Sequence, residues 1–353
     1  MLIHVRDRAV RTIKNSAFLI ILCTFALIAT NCIAEKTVPT SGVRNSNRNH
    51  MLEQTEGVEL IWSANNIYNI WDKFDTTLST EGNLVCFLGG QNLYEDRYLI
   101  CLNGRTGELL WKVKSGIHTA IEVTSNGIFV IYSSSAGVKK YNRSMGNVEW
   151  SKRLRGSGCY YFYIVDNELQ VSTNPTNLLV LDFHGNLIRK VNTGTITFIS
   201  TRDETFIRLN GLISTKTDTG EIKWEFREMD NLFDFMPLFT DDKIFVRTGL
   251  QLGSVYALDR KSGNLLWETS GVISNVVYSA RQHSIYALRE DGNIVAFDDE
   301  TGNEQVVASF TSIPFNLIGD EGGSSYQVAY DEKEHILVVY TGDSNQLFAF
   351  QEE

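Results

Sequence analysis

One phrase recurs along this chain, and its clearest copy is Ser254-Val-Tyr-Ala-Leu-Asp-Arg-Lys-Ser-Gly-Asn-Leu-Leu-Trp267. Ser254 to Leu258 is a β-rich run with the small Ala257 inside it. The Asp259 side chain can accept backbone N–H bonds two residues on, which opens a turn. Gly263 supplies the positive φ that such a turn needs. Trp267 ends the return strand with a large surface that has to be buried. A lone hairpin is marginal in water, so the phrase must recur and stack.

Copies align on Gly107, Gly146, Gly185, Gly220, Gly263 and Gly302, in steps of 39, 39, 35, 43 and 39 residues. Four residues after these glycines stand Trp111, Trp150, Arg189, Trp224, Trp267 and Val306. The turns open on Asn103, Asn142, Asp182, Lys216, Asp259 and Asp298. A period near 40 with four short strands per unit is the mark of a β-propeller. Six copies give six blades. A seventh follows from two incomplete ends. Val58 to Ser63, with Gly57 before it and Trp62 near its end, reads as a return strand with nothing upstream to pair with. His335–Tyr340 and Gln346–Phe350 read as the two strands before a turn, and the sequence then stops. The expectation is an all-β, seven-bladed propeller of four-stranded antiparallel blades over residues 51–353. Val58–Ser63 pairs with Gln346–Phe350 to close the ring, burying Trp62 beside Phe348. The Trp111, Trp150, Trp224 and Trp267 side chains are expected to wedge between blades, leaving weaker seams at Arg189 and Val306.

The pattern Ala-x-Asp-x-x-x-Gly-x-x-x-Trp, complete in Ala257, Asp259, Gly263 and Trp267, resembles the repeat of PQQ-like propellers. The resemblance covers about residues 55 to 353. That family includes quinoprotein dehydrogenases and the propeller lipoprotein of the outer-membrane β-barrel assembly (Bam) machine. In architecture, signal type and lack of catalytic residues the chain is closer to the second type, which is credited with eight blades. The resemblance implies a non-catalytic binding scaffold of the cell envelope, a monomeric propeller with an envelope protein as partner and no cofactor. The rival readings are a quinoprotein-type oxidoreductase and a carbohydrate-active propeller enzyme. The vicinal Cys-Cys pair of quinoprotein enzymes is missing, since cysteines stand at 23, 32, 86, 101 and 159.

The N-terminus reads as an export signal. Arg6, Arg8, Arg11 and Lys14 precede an apolar run, Ala17 to Ala29, too short for a membrane span of ~20 residues. Cys32 follows directly and resembles a lipobox cysteine, so residues 1–32 read as a lipoprotein signal with lipid on Cys32. The alternative is cleavage after Ala34 to give a soluble secreted protein. Residues 33–50, rich in Ser, Asn and Thr, read as a flexible tether. Without residues 1–32 the chain carries 28 Lys/Arg against 41 Asp/Glu, a net charge of −13. That argues against nucleic acid as a partner and against adsorption to anionic lipid. Cys86 and Cys101 fall on neighbouring strands, either as packed thiols or as a cross-strand disulfide.

Two connections between blades mix aromatic and acidic residues and form the candidate partner surface. One holds Tyr68, Trp71, Asp72 and Phe74, the other Asp230, Phe233 and Asp234. The competing reading makes Trp71, Phe74, Phe233 and Phe235 core residues of inner strands. The Gly-rich stretch Arg153–Tyr163 reads as a loop entering a strand, because no helix follows to make it a phosphate cradle. His118, His184, His283 and His335 fall one to a blade, so no nucleophile–base pair and no metal cluster can be assembled.

Overall fold

The computed structural model describes residues 52–54, 58–64, 78–90, 97–116, 120–132, 137–154, 159–173, 176–192, 194, 196–208, 211–227, 236–249, 252–310, 326–341 and 346–353. Every regular element among them is a strand, and the strands form seven antiparallel sheets. Numbered along the chain and written from inner to outer strand, blade 1 is Leu78–Thr80, Leu84–Gly90, Arg97–Asn103 and Leu109–Lys114. Blade 2 is Ala120–Thr124, Gly127–Tyr132, Gly137–Tyr141 and Val148–Arg153. Blade 3 is Cys159–Val165, Glu168–Thr173, Asn177–Leu181 and Leu187–Asn192, and blade 4 is Ile196–Ser200, Glu204–Arg208, Leu212–Lys216 and Ile222–Phe226. Blade 5 is Leu238–Phe239, Lys243–Arg247, Gly253–Asp259 and Leu265–Val272, and blade 6 is Val277–Ser279, Ser284–Leu288, Asn293–Asp298 and Glu304–Phe310. Blade 7 takes Gln327–Asp331, Ile336–Thr341 and Gln346–Glu352 from the C-terminus and Val58–Ala64 from the N-terminus.

Ring closure follows the complementarity of the two ends. Val58 lies opposite Glu352, and Ala64 opposite Leu347. A bulge at Ile61, between Leu60 and Trp62, shifts the register by one residue. Trp62 therefore stands opposite Ala349, and Ser63 opposite Phe348. This corrects the expectation that Trp62 and Phe348 are buried together. Successive side chains in a strand leave by opposite faces, so Trp62 packs toward blade 1 while Phe348 packs with Phe310 of blade 6, ring centroids 4.8 Å apart. The sequence also hides a fifth strand. Leu52–Gln54 pairs with the outer edge of blade 6, Leu52 opposite Phe310. The N-terminal segment thus runs from blade 6 to blade 7 across their seam.

The repeat glycines explain how blades join. In five seams the indole of one blade lies on the turn glycine of the next. A Cβ on Gly263 would come 2.5 Å from the Trp224 ring, and one on Gly146 would come 2.5 Å from Trp111. Trp62 covers Gly107, Trp150 covers Gly185 and Trp267 covers Gly302 in the same way. All five glycines also have positive φ, so the residue is fixed twice, by backbone and by space. Each indole Nε1 donates to a carbonyl of the same turn. The acceptors are Gly104 for Trp62 (2.6 Å), Arg143 for Trp111 (2.8 Å) and Phe183 for Trp150 (3.0 Å). Arg260 accepts from Trp224 and Asp299 from Trp267, both at 3.0 Å. A bulge immediately before the tryptophan recurs in these outer strands and aims the ring at its neighbour. Gly220, which follows Arg189, has positive φ but nothing within 4 Å of an added Cβ.

Candidate functional site

Inner strands of six blades, with residues just beside them, line a half-open cavity of about 430 Å³ at the ring centre. In blade 2, Ala120, Ile121 and Val123 are buried, and Glu122 lines the cavity. Tyr163, Phe239, Tyr278 and Tyr330 bring rings to the wall from four further blades. The three tyrosine hydroxyls are used elsewhere. Tyr163 donates to the Pro237 carbonyl (3.2 Å), Tyr278 to Asp299 (2.9 Å) and Tyr330 to Glu352 (2.5 Å). Asn275 is spent on the Val328 backbone, accepting from its N–H and donating to its carbonyl, both at 2.8 Å.

Two carboxyl groups face the cavity, and its described lining contains no Lys, Arg or His. Glu332 accepts the Ala280 N–H at 2.9 Å, and burial raises its pKa above the usual carboxylate range. Glu122 accepts no hydrogen bond from a described residue. Burial lifts its pKa to about 7, and the charge of Glu81 adds to the shift. At neutral pH it therefore exchanges between an acid and an anion.

The described residues hold no group of three or more His, Cys, Asp or Glu placed for a metal ion. His283 and His335 sit in turns with positive φ, in blades 6 and 7. Pyrroloquinoline quinone, the group the repeat family brings to mind, is a tricarboxylate. A cavity with two carboxyls and no described cation does not fit it. No chemical step is derived through it.

Cys86 and Cys101 stand directly opposite each other in the middle strands of blade 1 and are joined by a disulfide, Cα atoms 4.2 Å apart. Both are fully buried. Cys159 begins the inner strand of blade 3, so the Gly-rich stretch before it does lead into a strand. Tyr68, Trp71, Asp72, Phe74, Asp230, Phe233 and Asp234 lie outside the described residues, as does Cys32. The sequence reading missed Glu122. A lone glutamate in a motif-free inner strand gives no signal until the ring is built. The outer strands of blades 1, 3 and 5 each begin with a pair of exposed apolar residues, Leu109–Leu110, Leu187–Ile188 and Leu265–Leu266.

Fold and repeat together define a seven-bladed propeller of the PQQ-like repeat class. A family model described as outer membrane protein assembly factor BamB matches residues 95–203 and 185–316, more than half of the sequence, and the chain belongs to that family. Among solved structures, a chain of the mitotic checkpoint complex is 9% identical with a TM-score of 0.61, covering 84% of this chain and 94% of the other. The Pan2 WD40 domain from Neurospora crassa is 13% identical with a TM-score of 0.60, covering 84% and 95%. BamB from Moraxella catarrhalis is 14% identical with a TM-score of 0.48, covering 79% and 85%. At such identities the two likenesses above 0.5 speak for the fold alone. No match was found among curated protein sequences.

Proposed function

We propose that the protein is an exported, lipid-anchored and non-catalytic binding scaffold of the bacterial envelope, with a protein partner in outer-membrane protein assembly. The observation that carries this reading is membership of the outer membrane protein assembly factor family by a chain that begins with a basic leader and an apolar run. The Cys86–Cys101 disulfide adds support, because such bonds persist in oxidising compartments outside the cytosol. Residues 1–32 serve as signal, Cys32 carries the lipid and residues 33–50 tether the propeller to the membrane. The partner docks on the connections that carry Tyr68, Trp71, Asp72, Phe74, Asp230, Phe233 and Asp234.

Two measurements test the reading. Cys32→Ala should release the protein from membranes and abolish incorporation of a fatty-acid probe. A pull-down from detergent-solubilised membranes should recover an envelope protein with the wild type and lose it with Trp71→Ala combined with Phe233→Ala. A wild type that is unlabelled and freely soluble removes the anchor. An unchanged partner yield from the double variant removes the docking surface.

A further inference from the structure

The central cavity has a chemistry that scaffolding by surface loops does not use. Its walls are aromatic and aliphatic, and its described lining holds two carboxyls and no cation. One carboxyl, Glu332, already takes a backbone N–H. The other, Glu122, is half-buried and accepts no hydrogen bond from a described residue. A carboxyl group inside a protein without a donor is costly, and the cost is recovered when a cation fills the space beside it. An apolar body on that cation would lie against the rings of Tyr163, Phe239, Tyr278 and Tyr330, which attract positive charge to their faces. The volume of about 430 Å³ lies within the usual range of small-ligand sites, roughly 300–1,000 Å³.

We infer that the channel is a binding site for a primary alkylammonium group, either a small aliphatic amine or the lysine side chain of a partner, with Glu122 as its counter-ion. The site is lined by the inner strands and by residues just beside them, among them Met236, Pro237, Asn275 and Glu332, and needs no lipid anchor.

The pH response follows from the groups around Glu122. With its pKa lifted to about 7, it is mostly neutral at pH 6 and mostly charged at pH 8. Glu81 sits near it and disfavours its charge. Arg143, which donates to the carbonyls of Thr124 and Glu81, and Lys333, paired with Glu81, supply positive charge at the same turns. Glu332 on blade 7 is itself raised by burial, and Tyr278 and Tyr330 stay neutral through this range. Affinity for a cation should therefore rise with pH.

Titration calorimetry of the full chain with pentylammonium, pentanol and pentanoate tests the site. Pentylammonium should bind several-fold more tightly at pH 8 than at pH 6, and more tightly than pentanol at pH 8, while pentanoate should not bind. Glu122→Gln should weaken pentylammonium binding at pH 8 at least tenfold and flatten its pH dependence, with near-UV circular dichroism unchanged. Equal affinities for pentanol and pentylammonium would overturn the proposal, as would a folded Glu122→Gln protein that binds like the wild type. Should that variant not fold, addition of pentylammonium must raise the wild-type melting temperature more at pH 8 than at pH 6, and equal shifts overturn the site. A lysine-containing peptide that binds more tightly than its acetyl-lysine analogue and than pentylammonium would make a protein the source of the cation. A preference for the free amine would make it a metabolite.

Discussion

The seam between blades 5 and 6 and the seam between blades 3 and 4 join neighbours in opposite ways. In the first, Trp267 is 8% exposed, lies on Gly302 and belongs to an apolar cluster with Phe245, Ile285 and Phe297. In the second, Arg189 holds the tryptophan slot and turns away from Gly220. It pairs with Glu168 of its own blade at 2.7 Å and donates to the Ser200 carbonyl of blade 4 at 2.8 Å. Gln170 makes a reciprocal pair of 2.8 Å bonds with the Ser200 backbone. The chain of hydroxyls continues from Ser200 to Thr205 and Thr217, each step 2.9 Å. Six apolar clusters bridge neighbouring blades; among the described residues none is centred on the seam of blades 3 and 4, where only the half-buried Tyr163 and Val165 of blade 3 reach the cluster shared by blades 4 and 5.

The two designs hold the ring for different reasons. Apolar area taken from water stabilises a seam in proportion to its size, with little demand on angle. Hydrogen bonds exchanged for water contribute about 1 kcal/mol net each, but a buried group left unpaired costs more. The polar seam therefore adds less stability and fixes alignment more strictly. The seam between blades 6 and 7 shows a third solution. Val306 replaces the tryptophan, and the bulge moves two residues along to Val307. In exchange, the N-terminal segment straps both outer edges, and Glu352 accepts bonds from Tyr286 and Tyr330 at 2.5 Å.

Removing the strap should have the largest effect. Deleting residues 51–63 uncovers the outer edges of blades 6 and 7 and takes Trp62 from Gly107. Size-exclusion chromatography should show aggregates in place of monomer, whereas deleting residues 33–50 should leave the elution and the melting temperature unchanged. Next, Trp267→Ala should cost about 3–5 kcal/mol in chemical denaturation, through the loss of its buried ring and the cavity left on Gly302. A cost below ~1 kcal/mol would break the comparison, since the seam would then not depend on its indole.

The apolar seams should also show in alkaline unfolding. Tyr141, buried in the cluster between blades 1 and 2, has its pKa pushed up to about 12, first by burial and then by Tyr132. Its folded value lies above its unfolded value near 10. The unfolded chain therefore releases its proton first, and stability present below pH 10 is lost as pH rises through 12. The contribution is up to about 3 kcal/mol, and Tyr141→Phe should remove that part of the alkaline slope. The smallest effects belong to the polar seam. Gln170→Ala should cost roughly 1–3 kcal/mol by stranding the Ser200 backbone groups, and Arg189→Trp should gain about 1 kcal/mol by filling the space above Gly220. A large loss with Arg189→Trp would mean that the ion pair to Glu168 matters more to the seam than area does.

Much of this was legible in sequence because the repeat writes it. A glycine that must take positive φ and a tryptophan four residues later mark a turn and a seam together, so blade number and ring closure follow from spacing alone. Register did not follow. The bulge at Ile61 sends Trp62 and Phe348 to opposite faces, and nothing in the local alternation announces it. Leu52–Gln54 was invisible for a related reason, since a three-residue strand has no periodicity to read. The polar seam could be suspected from Arg189, yet its partners Gln170 and Ser200 come from the second strand of blade 3 and the inner strand of blade 4, which carry no motif. Glu122 belongs to the same blind region. Inner strands carry no repeat signature, so the cavity chemistry appears only after the ring is assembled.

The closing pair, Val58–Ala64 with Gln346–Glu352, also sets a timetable for synthesis. Val58–Ala64 leaves the ribosome long before Gln346–Glu352, the strand that receives it, is made. At roughly 5–20 residues per second, close to 300 residues separate the two by about 15 to 60 s. Blades 1 to 5 are contiguous in sequence and can assemble as they emerge. Throughout that interval the nascent chain carries an unpaired strand bearing Trp62, while the seat prepared for it, Gly107, already stands open in blade 1. Gln346–Glu352 acts as a clasp, and a ribosome that stops short of it releases a ring that cannot shut.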